Sequence, residues 1–345
     1  MSQPLVSIVI TQRERFGMTQ ESLEDLYAHT SGEFEVIYVD GNSPLPYAEY
    51  LRKEAERRGF MLIRREHYLM PNEARNLGRE AAKGTYIVFC DNDVLYTDGW
   101  LEALVACAEE TGAAIVAPLT CQGLPAHQVI HHAGGLFTPG NDVSKFFATP
   151  RQERRDFIED MHGHAVPIAE YDGEMVRTKT GMCEFHCALV RADLFDKIGP
   201  LDENMRSTKE HIDLSISAWN AGEEVWFEPT SIVTYVFPCR ARPLNKDDWP
   251  FFALRWSDQF GQDSLSHFIE KWLLSVPDDY LHNKRETYKM RRMQGILIPM
   301  MAQMPLVKST RGTTRGAARL AAPLERLINR GLVARHERQR REIIR

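Results

Sequence analysis

Between residues 5 and 118 the chain alternates short apolar runs with stretches of helical spacing, and this alternation limits the fold more than any other feature. The apolar runs cover residues 5–11, 34–39, 60–63, 85–90 and 113–118. Between them, residues 18–29 place Leu23, Leu26 and Tyr27 on one helical face, and residues 47–58 read as a heavily charged helix. Residues 72–83 predict a helix that stops at Gly84, and residues 100–110 carry Trp100, Leu101, Leu104, Val105 and Ala108 on one side. Consecutive strands with a helix between them pair in parallel, through right-handed crossovers. The expected fold is therefore α/β, a doubly wound, mixed but mainly parallel sheet, followed by a C-terminal helical extension.

In such a sheet the carboxyl ends of the strands border the ligand crevice. The first run leads into Gln12, Arg13, Glu14 and Arg15, the second into Asp40, Gly41, Asn42 and Ser43, and the fourth into Asp91, Asn92 and Asp93. Two carboxylates one residue apart offer hard oxygen donors. They suit Mg²⁺ or Mn²⁺, which takes one or two carboxylates and completes its shell with water and substrate phosphates. A plain solvated turn after a strand uses the same residue types.

From residue 121 to 180 the regular alternation gives way to a Gly-, Pro- and His-rich stretch expected to form loops and irregular strands around a substrate pocket. Its histidines, His131, His132, His162 and His164, read as surface or hydrogen-bonded groups rather than a metal set. Residues 184–190 then predict a strand, 191–198 a short helix, and 209–222 an amphipathic helix with Ile212, Ile216 and Trp219 inward. Glu210, His211 and Asp213 fall in its first turn, where acids gain about 0.3–1 kcal/mol from the helix dipole. Residues 225–229 and 231–236 read as two short strands.

Taken in order, these segments resemble the family 2 glycosyltransferases of the GT-A fold over about residues 5–236. The resemblance rests on the first strand with Thr11, on Asp40-Gly-Asn-Ser43, on residues 72–78, on Ala82-Lys-Gly84 and on Asp91-Asn-Asp93. Residues 195–203, the acidic helix start at 210–213 and Phe227-Glu-Pro229 continue it. It implies a metal-dependent, inverting transfer of a sugar from a UDP- or GDP-linked donor to a hydroxyl of a glycan or related acceptor, as in polysaccharide biosynthesis. Asp40 would bind the base, and Asp91 and Asp93 the ribose and a Mn²⁺ or Mg²⁺ ion, with Thr11, Gln12, Arg13, Asn42, Arg75, Asn76 and Asn92 lining the nucleotide-sugar pocket. Arg75 fits a structural ion pair equally well.

Two positions depart from the family. Members often carry Glu-Asp at the later helix start with the Asp as base, whereas here the pair is Glu210-His211 and the next acid is Asp213. Glu210 is the first choice for the base, His211 the second, and Asp213 reads as an orienting or capping acid. Tyr235 stands where many members have a metal-ligating His, so metal binding would be weaker, or the ion's shell would be completed by water or another His. A nucleotidyltransferase is the competing enzyme reading, although no Gly-rich basic loop follows the first strand. A non-catalytic sugar-nucleotide-binding scaffold is the other.

The formal charge of −6 conceals an asymmetry, because residues 281–345 hold sixteen Lys/Arg against four Asp/Glu, +12, leaving −18 for the rest. The expected units are 1–240, split into a nucleotide half (1–120) and an acceptor half (121–240), then 241–280, an aromatic helical extension, and 281–345, a basic segment. Trp249, Phe251, Phe252, Trp256, Phe260, Phe268 and Trp272 follow helical spacings and read as core. The apolar residues 295–307 among basic neighbours suit peripheral contact with an anionic membrane, and a helix at 316–344 would otherwise be a solvated tail or pack on a second subunit. No nucleic acid partner is expected. The six cysteines show no Cys-x-x-Cys spacing, and no apolar run reaches bilayer length, which together read as a cytoplasmic protein, at most peripheral at the inner membrane face.

Overall fold

In the computed structural model, which describes residues 5–138, 143–150, 153–238, 242–304 and 311–344, the first run forms β1 (Val6–Thr11), buried along its whole length. It is followed by α1 (Thr19–His29), β2 (Phe34–Gly41), α2 (Leu45–Arg58), β3 (Met61–Arg65), α3 (Pro71–Ala81) and β4 (Tyr86–Asp91). Next come a short β5 (Val94–Tyr96), α4 (Trp100–Thr111) and β6 (Ile115–Gln122). β4, β1, β2 and β3 lie side by side and parallel. Because successive side chains alternate between faces, Ile8, Ile10, Val88 and Cys90 enter one core while Val9, Ile87 and Phe89 enter another. Burial on both faces is what excludes charge from these strands.

Helix α3 ends at Ala81 with Ala82 as its cap, not at Gly84. Gly84 is needed for another reason: a Cβ there would lie 2.6 Å from the Ser7 amide nitrogen. α3 also presses on the sheet at Gly78, where a Cβ would meet Val9 Cγ1 at 2.2 Å. Gly78→Ala is accordingly expected to lower stability by about 1–3 kcal/mol, the usual result of overpacking a filled core. Urea denaturation measures this, and an unchanged midpoint would mean that α3 lifts off without cost.

Beyond β6 run the short β7 (Ile130–His132), β8 (Gly135–Leu136), α5 (Val143–Ala148), β9 (Arg155–Asp156), β10 (Asp160–Met161) and β11 (Thr178–Lys179). Then come β12 (Cys187–Arg191), α6 (Leu194–Ile198), α7 (Glu210–Asn220) and β13 (Val225–Tyr235). The main sheet has the order β11-β13-β6-β12-β4-β1-β2-β3. β12 is antiparallel to both β4 and β6. The two short strands expected at 225–236 are one strand, β13, with a register shift between Glu228 and Ile232 that absorbs Pro229. The strand expected from 184 starts only at Cys187, which leaves residues 184–186 at its approach.

The C-terminal part comprises α8 (Trp249–Arg255), α9 (Asp258–Trp272), β14 (Leu274–Ser275), α10 (Tyr280–Arg292), α11 (Ile298–Ala302) and α12 (Arg311–Ile344), with a π-helical turn at Met293–Leu297 before α11. Phe251, Phe252, Trp256, Phe260 and Phe268 are buried, as their spacing predicts for core. Ile296 and Leu297 are buried too, so this part of the apolar 295–307 stretch packs inward; residues 305–307, like Cys239, fall outside the described residues. α12 packs on its own chain. Val333 joins Phe16, Met70, Phe251, Leu254 and Phe260, and Asn329 Nδ2 donates to the Ala253 carbonyl at 2.6 Å. None of the described helices is long and apolar enough to cross a membrane.

Candidate active site

Register brings the strand-end residues together. Thr11 pairs with Val39 on one side and with Asp91 on the other, so Gln12, Asp40 and Asn92 emerge at one edge. Since β12 runs the other way, with Cys187 opposite Cys90, its approach reaches that same edge, and the Asp91 amide donates to the His186 carbonyl at 3.1 Å. Asp91 accepts from Arg13 Nη1 at 3.2 Å and from Arg75 Nη2 at 3.4 Å. Arg75 also lies 3.9 Å over the Phe185 ring, so it is both a partner of Asp91 and packed in place.

Asp93 is fully buried, and neither of its carboxylate oxygens has a hydrogen-bond partner. Burial, with the nearby negative charges of Asp91 and Glu14, pushes its carboxyl well above the ordinary range. The His186 ring is stacked on Tyr235 at 3.8 Å, and its Nδ1 lies 3.0 Å from Asp91 Oδ2 without hydrogen-bond geometry. Burial and then Arg13 drive the His186 pKa well below its usual value, so the imidazole is neutral and offers a lone pair. Ligand atoms of Asp91, Asp93 and His186 all lie within 4.8 Å of one another, as do those of His131, Glu184 and His186. A buried carboxylate without donors beside a neutral imidazole fits a divalent cation with oxygen and nitrogen ligands. His186 thus lies beside Asp91 and Asp93, while the Tyr235 hydroxyl donates to Glu14 Oε2 at 3.3 Å.

Other strand-end residues serve each other. Gln12 Nε2 donates to Asp40 Oδ1 at 2.7 Å and Gln12 Oε1 accepts from the Gly41 amide at 2.9 Å, while Arg64 pairs with the other Asp40 oxygen. Asn42 adopts a left-handed turn conformation, φ 64°, and is half-buried at the rim. The Thr11 carbonyl accepts from the Asn92 amide at 2.9 Å, and Asn92 Nδ2 donates to the Arg15 carbonyl at 2.6 Å. The side chain of Asn92 therefore pins the loop after β1. Asn76 has both ends of its amide bonded to residues 201–203, including Leu201 N at 2.9 Å, which makes it a brace between α3 and that turn.

Helix α7 begins next to Arg75. Lys209 before it holds a left-handed conformation, φ 72°, tied down by an ion pair to Glu159. Glu210 Oε1 accepts from Arg255 Nη2 at 3.1 Å and lies 3.9 Å from Arg75, while its buried Oε2 has no partner. Burial raises the Glu210 pKa, but Arg255, Arg75 and His211 outweigh it and hold the carboxyl below its ordinary value. His211 Nε2 is 3.3 Å from Glu184 and 3.9 Å from Glu159. Asp213 is occupied: Trp272 Nε1 donates to Oδ1 at 2.7 Å and Lys271 to Oδ2 at 2.9 Å. These bonds tie α7 to α9, and Asp213 does not cap the helix.

Several groups of this site lie outside the residues to which the sequence points. The Glu184-x-His186 spacing repeats the one-residue gap of Asp91-x-Asp93, a signal that could have found both. Of the four histidines, His131 comes in, its ring 5.0 Å from that of His186, while His132 is buried with both ring nitrogens unpartnered and its pKa lowered by burial to about 3. Arg255 and Trp256 come from the aromatic extension, and Trp256 Nε1 donates to Glu14 at 2.9 Å.

With this geometry in hand, comparison with known proteins gives a consistent result. The family model for glycosyl transferase family 2 matches residues 7–199. The uncharacterized glycosyltransferase EpsJ of Bacillus subtilis is 29% identical over 113 residues, 33% of this chain and 33% of that protein. Polypeptide N-acetylgalactosaminyltransferase 3 of Drosophila melanogaster is 24% identical over 248 residues, 65% of this chain and 36% of that protein. The chain thus spans about a third of the length of these two curated relatives. Among solved structures, GalNAc-T7 with UDP, GalNAc and Mn²⁺ shares the fold with a TM-score of 0.53 at 17% identity, covering 88% of this chain and 59% of that one. A match that spans more than half of the chain, and takes in the strands that carry Asp40 and Asp91 as well as His186, places the protein in glycosyl transferase family 2.

Proposed function

We propose that the protein transfers a sugar, with inversion, from a UDP- or GDP-linked donor to a hydroxyl group of a glycan or related acceptor, using Mn²⁺ or Mg²⁺. The observation that carries this reading is the convergence of Asp91, Asp93 and His186 with both Asp93 oxygens left without donors. These three side chains would hold the ion, and the bound ion would act as a Lewis acid on the departing diphosphate. Arg13 and Arg75 fix Asp91, while Gln12, Arg64 and the Ser43 amide fix Asp40, the group proposed to meet the nucleotide base. Glu210 Oε2 takes the acceptor proton as the new glycosidic bond forms and the bond to the diphosphate breaks. Family membership supports sugar transfer over the nucleotidyltransferase alternative, and the unpartnered acids Asp93 and Glu210 support a catalyst over a scaffold.

Calorimetry with UDP and GDP tests the donor side. Binding of one of them is expected to need the cation and to vanish on chelation; equal affinity with and without metal would remove the ion from the mechanism. The anomer first released on donor hydrolysis tests inversion, and retention of configuration would remove Glu210 as the base.

A further inference from the structure

Helix α12 has two faces. Its inner face holds the chain together: Val333, Asn329 and His336 are buried, Glu325 pairs with Arg292 at 2.7 Å, and Glu337 with Arg206 at 2.5 Å. The opposite face carries Leu320, Leu324, Leu327 and Ile328, which are 85%, 62%, 65% and 62% exposed. Their spacing, i, i+4, i+7 and i+8, makes one continuous apolar stripe about 12 Å long at 1.5 Å per residue. Side chains of this size exposed singly need no explanation, but four in a row on one helix face mark a contact surface. Along one flank of the stripe run Arg319, Arg326 and Arg330, all exposed, and none of them is ion-paired among the described residues.

We infer that this outer face of α12 lies on an anionic lipid surface, the leucines entering the headgroup–acyl boundary and the arginine row meeting lipid phosphates. Charge decides between this and a second copy of the chain. An antiparallel two-fold pairing of α12 sets the same flank of each helix beside itself, so two unpaired arginine rows would meet. A parallel one sets each row against a flank with no acid to answer it, since Glu325 is the one acid between residues 313 and 331. Glu325 and Glu337 cannot answer them, because both are turned inward onto Arg292 and Arg206. An apolar stripe bordered by arginines whose stems reach past it is instead the arrangement of a helix lying in a membrane interface. The surface differs from the one expected at 295–307, where Ile296 and Leu297 are buried in the fold. The inference goes beyond sugar transfer and does not depend on it.

The test uses the full chain and vesicles of phosphatidylcholine alone or mixed with phosphatidylglycerol. The expected result is sedimentation with the anionic vesicles only, reversed by salt. Arg319→Gln/Arg326→Gln/Arg330→Gln is expected to weaken binding roughly a hundredfold, at about fivefold per charge. Leu324→Ser/Leu327→Ser is expected to weaken it at least roughly as much, with donor hydrolysis in solution unchanged for both variants. Undiminished vesicle binding by the leucine variant would overturn the inference. So would absence of vesicle binding, whether the chain is then a monomer or a dimer that the leucine substitutions dissociate.

Discussion

Asp93→Asn is expected to lower cation-dependent turnover of a nucleoside diphosphate sugar by roughly 10²–10³-fold, the loss that follows removal of a preorganised group facing developing charge. The substitution keeps the volume of a buried side chain and removes only its ability to carry charge. It spares the ion pairs of the site, since neither oxygen of Asp93 has a partner to lose. Asp91→Asn would be harder to read, because it would also leave the half-buried Arg13 and the buried Arg75 guanidinium groups without the Asp91 carboxylate. His186→Ala should raise the cation concentration needed for half-maximal rate by more than the ~10–100-fold seen when a ligand merely loses its supporting partner. Initial rates across a Mn²⁺ titration measure both variants. If Asp93→Asn retains wild-type turnover at the same Mn²⁺ requirement, the cation is held elsewhere.

The second large effect concerns the acceptor proton. Glu210→Gln is expected to lower turnover by ~10²–10⁴-fold at saturating donor, with donor affinity little changed, while Asp213→Asn costs much less. The difference follows from occupancy: Glu210 Oε2 has no partner, whereas Trp272 and Lys271 take both oxygens of Asp213. Loss of the Glu210 charge also strands Arg255, so stability must be measured alongside rate. Arg255→Gln breaks the same ion pair but keeps the acid, and separates the two effects: it should cost stability yet leave most of the turnover. Near-normal rates for Glu210→Gln beside an inactive Asp213→Asn would reverse the assignment, and an inactive His211→Gln alone would move it to the imidazole.

The nucleotide half could be read from the sequence because its strands are buried on both faces. Residues 5–11 and 85–90 admit no charge for that reason, and the polar residues that follow them mark the crevice edge. Asp40, Asp91 and Asp93 were visible as strand-end acids. The roles of Asn76 and Asn92 were not, because an amide that braces a turn and one that binds a ligand look alike until the partners at 201–203 or the Arg15 carbonyl are known. His186 is not legible in the sequence because it lies at the approach to an antiparallel strand, and parallel alternation gives no hint that such a strand is inserted between β4 and β6. Arg255 stands inside an aromatic stripe whose spacing reports only helix packing. The split of α12 into an inner and an outer face was likewise hidden, since the arginines conceal which leucines turn away from the fold.

Because β12 is hydrogen-bonded to β4 on one side and β6 on the other, His186 reaches Asp91 and Asp93 without any loop having to close. Asp93 is anchored as well, its carbonyl accepting from the Val236 amide at 2.9 Å. On the proposed reading, the seat for the ion then exists before a donor arrives and outlasts the departure of the nucleoside diphosphate. Successive cycles would exchange nucleotide around a resident cation, rather than admit each nucleotide as a preformed ion complex. A labelled Mn²⁺ ion loaded once would remain with the protein through many turnovers.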